Sequence, residues 1–137
     1  MNRRLLLTGL YFLGGVILGA PSIFAQPSAE SLRQTIRDYI ANQENLQGVF
    51  AIMDERSGKL RQLTLVRVHD RVGKTGNYYY SCTDMSDVAT GDQLDLDFDI
   101  EEQNSNLRVV DIRIHKDNGK PRYTYDENDN MIPVSAG

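Results

Sequence analysis

The chain has a single cysteine, Cys82, among 137 residues. One thiol cannot close an internal disulfide, and it excludes metal sites built on several thiolates. Basic residues are scarce too. With Arg3 and Arg4 set aside, 13 Lys and Arg stand against 19 Asp and Glu, a formal net charge of −6. A nucleic-acid interface wants the opposite sign, and so does an anionic lipid surface. Several motifs are missing. Gly73-Lys74-Thr75 lacks the upstream glycine of a phosphate-binding loop, because Val68 stands in its place. No glycine-flanked serine, thiol-protease signature, internal repeat or low-complexity segment occurs, and nothing marks a cofactor site.

The long apolar run is at the start. Arg3 and Arg4 precede the uncharged stretch Leu5 to Ala20, Pro21 breaks it, and Ala25 offers a small residue for cleavage. That is the order of a secretory signal peptide, so residues 1–25 are expected to be removed and the mature chain exported, periplasmic or secreted. Left uncleaved, the same run just spans a bilayer and would be the only membrane attachment. The paired arginines loosely resemble a twin-arginine signal, which implies folding before export. No cysteine stands near the cleavage point for lipid attachment. The mature chain of about 112 residues suits one domain with a real core.

Leu94 to Glu101 alternates apolar and acidic residues without a miss. In a strand, Leu94, Leu96, Phe98 and Ile100 share one face and Asp95, Asp97, Asp99 and Glu101 the other. Burying the apolar row is worth about 6–12 kcal/mol gross, so it sets the register of the sheet. The acidic row is expected to be a solvated face, offset by Arg113 and His115 on the next strand.

Gln26 to Gly48 reads as the only helix, with Ser28 as N-cap, Glu30 in the first turn and Gly48 as the stop. Leu32, Ile36, Tyr39 and Ile40 form a narrow apolar stripe that docks on a sheet. Val49 to Asp54 and Leu60 to Asp70 are strands. In the second, Leu63 and Leu65 oppose Val66 and Val68, and a bulge between Leu65 and Val66 would bring both pairs to the core. Arg71 to Asn77 is read as a loop, Tyr78 to Asp84 as a strand and Met85 to Gln93 as a loop. Leu107 to Lys116 returns after the acidic strand, with Val110, Ile112 and Ile114 on one face. Asn118-Gly119 is the strongest turn signal. Pro121 to Asp126 is a last strand, and residues 127–137 a polar tail.

The sum is α+β: one N-terminal helix packed on a curved antiparallel meander of about five to six strands, spanning residues 26–126. The element order resembles the cystatin-like and NTF2-like classes, in which a curled sheet wraps an N-terminal helix. That resemblance implies no activity.

Candidate sites are few. Asp95, Asp97 and Asp99 are the tentative metal ligands, although a straight strand spaces its carboxylates about 7 Å apart and calcium needs them convergent. Neither Asp95 to Asn106 nor the run from Asp126 fits an EF-hand, because Ile100 and Met131 stand where the glycine belongs. A zinc pair would need His69 and His115 to meet across the sheet with a carboxylate; both are expected at the surface. Cys82 is expected as a small apolar core residue, with an intermolecular disulfide, and hence a homodimer, as the alternative. Tyr79, Tyr123 and Tyr125 are the candidate binding residues, since tyrosine supplies rigid amphipathic area. The leading expectation is a small exported, non-enzymatic protein that binds a protein or small molecule through its sheet face or loops. The alternatives are a calcium-dependent module using the acidic face with Asp84, Asp87 and Asp92, and a hydrolase with a cleft between helix and sheet.

Overall fold

A computed structural model describes residues 25–135. The expected signal peptide, apart from Ala25, lies outside the described residues. Helix α1 spans Ala29–Gln47. The Ser28 hydroxyl accepts the Ser31 N–H at 3.0 Å, which satisfies one orphan donor of the first turn. At the far end Gly48 adopts φ +80° and donates its N–H to the Glu44 carbonyl. Leu32, Ile36 and Ile40 are buried, so the stripe read from the sequence is the docking face. No described helix is long and apolar enough to cross a membrane.

Six antiparallel strands follow in chain order: β1 Phe50–Asp54, β2 Lys59–Thr75, β3 Tyr78–Asp87, β4 Gln93–Gln103, β5 Asn106–Asp117 and β6 Lys120–Pro121. A second, two-stranded sheet pairs β7, Tyr123–Tyr125, with β8, Met131–Pro133. The fold is α+β, as the sequence pattern implies. Strand β4 lies within the sheet, and Leu94, Leu96, Phe98 and Ile100 are its core row. Phe98 stacks on Phe50 with ring centres 6.0 Å apart, and Tyr39 of the helix meets both rings edge-on. The helix–sheet interface is filled with apolar side chains, which counts against a hydrolase cleft there.

Four departures from the sequence reading matter. Strand β2 runs through Val72-Gly73-Lys74-Thr75 and pairs these residues with Ser81 to Tyr78, so the expected loop is a hairpin with Gly76 and Asn77 at its tip. Strong β-formers on β3 hold the glycine-rich stretch in place by pairing. A bulge at Val66 leaves that side chain exposed while Leu63, Leu65 and Val68 face the core, so only one residue of the second pair turns inward. In β5 two bulges shift the register, one at Val110 and one at His115. The first points Val110 outward and gives Val109 and Leu107 to the core. Finally, the expected polar tail contains β8, which folds back on β7.

Candidate functional site

The acidic row of β4 is not a solvated face. Asp95 is 7 % exposed, Asp97 0 % and Asp99 9 %. The β7–β8 segment lies over Asp97 and delivers polar partners to it. Tyr123 and Tyr125 both donate their hydroxyls to Asp97 Oδ2 at 2.6 Å. Across the other carboxylate oxygen, Oδ1, stands the Cys82 thiol, which donates to it. Cys82 and Asp97 are direct partners in the β3–β4 register, which is why they meet. Outer-face residues of paired strands lie within about 5.5 Å.

His115 arrives by the second bulge. Asp95 pairs with Lys116 and Leu96 with Ile114, so His115 is the extra residue between them. The bulge turns His115 and Lys116 to the same side as Asp95, the re-aiming that bulges allow. His115 is buried, not at the surface as expected. Its Nδ1 faces Cys82 Sγ at 3.8 Å, Asp95 Oδ2 at 3.8 Å and Asp97 Oδ1 at 3.9 Å. The Tyr123 ring stacks on the imidazole at 4.8 Å and an interplanar angle of 22°. Tyr80 stacks on Tyr125 at 4.5 Å and donates its hydroxyl to Asp129 in the β7–β8 connection. Gly73 makes room for that ring, since a Cβ there would come within 2.3–2.6 Å of it.

These groups shift one another's protonation. Burial, then the Asp97 charge, pushes the Cys82 thiol far above its ordinary range. Burial and Asp97 do the same to the phenols of Tyr123 and Tyr125. The Asp95 carboxyl is also pushed up, chiefly by burial, against the pull of His115, His69 and Lys116. Its Oδ1 is buried without a hydrogen-bond partner. A buried carboxylate oxygen left unpaired is costly.

One side of the cluster opens to solvent. A cavity of about 290 Å³ lies between β2, β3, β4 and β5, lined among others by Val66, His69, Asp84, Asp95 and Lys116. His69 Nε2 meets Asp84 Oδ1 at 2.7 Å in this mouth. The Lys116 ammonium lies 3.4 Å from Asp95 Oδ2.

Of the tentative metal ligands, Asp95 and Asp97 come together with Cys82 and His115. Asp99 does not join them: Arg113 grips it with two nitrogens, at 2.5 and 2.9 Å. The acidic loop is likewise neutralised rather than convergent. Arg61 pairs with Asp87 at 2.5 Å and with Asp92 at 2.7 Å, while Asp84 turns to His69 and Arg67. Of the candidate tyrosines, Tyr123 and Tyr125 meet over Asp97, whereas Tyr79 packs on the helix-side core beneath Lys74. The three do not form one surface. Sequence reasoning left out Tyr80 and gave no weight to a Cys82–histidine pair, although Cys82 and His115 approach to 3.8 Å. The register of β3 against β4 was the available signal for Cys82. Nothing local marks the bulge that brings in His115.

Comparison of the chain with models of known protein families, with curated proteins and with solved structures finds no match in any of the three.

Proposed function

We propose that the chain is a small exported binding protein, not an enzyme, and that its binding site is the polar cluster under the β7–β8 segment together with its mouth. The observation that carries this reading is the Asp97 carboxylate, wholly buried yet held by three donors from β3 and β7. Buried polar groups cost stability relative to an apolar core. Their concentration at one place, beside a cavity, supports reading it as a site. The shifts at Cys82, Tyr123 and Tyr125 count against these three groups as nucleophiles or bases. A thiol and two phenols held in their neutral forms offer neither nucleophile nor base at neutral pH. Export rests on the N-terminal pattern of Arg3, Arg4 and the apolar run.

Native mass spectrometry of the protein from its own exported fraction tests the reading. The expected spectrum begins at Gln26 and carries an added mass that Asp97→Asn removes. A chain that keeps residue 1 counts against cleavage. A folded Asp97→Asn variant that retains everything the natural chain retains refutes the assignment of the site.

A further inference from the structure

We propose that Cys82, Asp95, Asp97 and His115 form a four-ligand site for a divalent cation of borderline softness, zinc foremost. This rests on the cluster being the binding site, and goes further by naming the ligand. One ligand atom from each of the four residues lies within 4.8 Å of every other. A tetrahedral zinc with bonds of about 2.0–2.3 Å holds its ligand atoms about 3.3–3.7 Å apart. The three distances from His115 Nδ1, at 3.8, 3.8 and 3.9 Å, already approach that figure. The two to carboxylate oxygens are too long for N–H···O bonds, so the imidazole nitrogen faces two carboxylates without a hydrogen bond to either. The Cys82 Sγ–Asp97 Oδ1 edge, at 2.6 Å, is shorter. The thiol proton bridges that edge, and a cation that replaces the proton lengthens it.

A second observation points to a ligand independently. Asp95 Oδ1 is buried with no partner, on a residue more than nine-tenths buried and shared with the mouth. A cation at this carboxylate, whose Oδ2 lies 3.8 Å from His115 Nδ1, offsets the burial of a group whose Oδ1 the protein itself leaves without a partner.

The donor set decides which cation. Calcium and magnesium take oxygen ligands, calcium six to eight of them. Here two of four donors are sulfur and nitrogen, which suits zinc. One thiolate and two carboxylates around a divalent ion leave one net negative charge, and Lys116 stands 3.4 Å from Asp95 to balance it. The surroundings orient the ligands. The Tyr123 and Tyr125 hydroxyls occupy Asp97 Oδ2 and so leave Oδ1 to the cation, while the Tyr123 ring fixes the plane of His115. His69 and Asp84 line the way in. The ion would clamp three adjacent strands, β3 through Cys82, β4 through Asp95 and Asp97, and β5 through His115.

Binding exchanges the Cys82 S–H bond for a sulfur–zinc bond and releases the proton to solvent. Because the ligand is the thiolate, binding competes with protons.

The test is titration of the chelator-treated mature chain with zinc, and with cobalt as a spectroscopic stand-in, for the natural protein, Cys82→Ser and His115→Gln. Circular dichroism checks that each is folded. The expected result is one zinc per chain in native mass spectra, a raised melting temperature, and a thiolate-to-cobalt charge-transfer band. Cys82→Ser abolishes the band, and each variant weakens zinc by at least about 100-fold, the upper end of what outer-shell changes alone cost. Reading two variants separately guards against one failing to fold. A folded natural chain that takes up no zinc overturns the proposal, as does zinc binding that both folded variants keep unchanged. A zinc-blind chain that still carries an Asp97-dependent mass sinks the metal and leaves the binding reading standing. A chain with neither sinks both.

Discussion

Tyr123→Phe and Tyr125→Phe each remove one hydroxyl and little else. Both hydroxyls donate to Asp97 Oδ2 at 2.6 Å, and Asp97 has no exposure through which water could replace them. The rings stay anchored, Tyr123 on His115 and Tyr125 on Tyr80. A hydrogen bond to a carboxylate contributes about 1.5–3 kcal/mol. Each single substitution therefore destabilises the metal-free protein by about that amount. The two effects are not additive. In either single variant the other hydroxyl still serves Oδ2; in the double variant none does, and a buried acceptor is orphaned. The double loss exceeds the sum of the singles, with a coupling of about 0.5–3 kcal/mol. Urea unfolding of residues 26–137 at neutral pH with chelator present measures all four corners of the cycle. Tyr78→Phe is the control, because Tyr78 is exposed, and it shifts stability by less than about 0.5 kcal/mol. Single substitutions as silent as the control, or a strictly additive cycle, would refute the view that the β7 hydroxyls hold Asp97 together as a unit.

Three more outcomes follow from the same geometry. Burial, with Asp129 or Asp97, raises the phenols of Tyr80, Tyr123 and Tyr125, so their contribution to stability is complete below the ordinary phenol value of about 10 and is lost as pH rises beyond it. Their ultraviolet titration should coincide with loss of the circular-dichroism signal, and ionisation in the folded state would contradict this. Arg122 grips Asp54 at 2.7 and 3.0 Å and, against burial, holds its carboxyl well below the usual range. That stability is present above about pH 3.9 and fades as pH falls; Arg122→Met should cost about 3–5 kcal/mol at pH 7 and markedly less at pH 3 in urea unfolding, an equal cost at both counting against the pair. Gly73→Ala places a methyl against the Tyr80 ring and should cost about 1–3 kcal/mol of overpacking, with near-ultraviolet dichroism reporting the displaced stack. In a Tyr80→Ala background the same change should become neutral, and a persistent cost there would place its cause elsewhere.

Much was legible from the residues alone. The perfect alternation of Leu94 to Glu101 placed β4, its core row and its outward carboxylates, because strand periodicity is a local property. Ser28, Gly48 and the Leu32–Ile36–Ile40 stripe placed α1 for the same reason. Asn118-Gly119 marked its turn, with both residues at positive φ. The tertiary structure decided what covers the acidic row. Periodicity says which side of a sheet a carboxylate faces, not whether solvent or another segment lies over it. Here twelve residues after β6 made the difference, because Tyr123 and Tyr125 carry donors to Asp97. The two bulges of β5 were equally invisible. One extra residue at His115 reverses which side the following positions face, and its cause is the pairing with β4 rather than any signal within β5. A cysteine, a histidine and two aspartates on three strands thus converge only once register, bulge and cover are all in place.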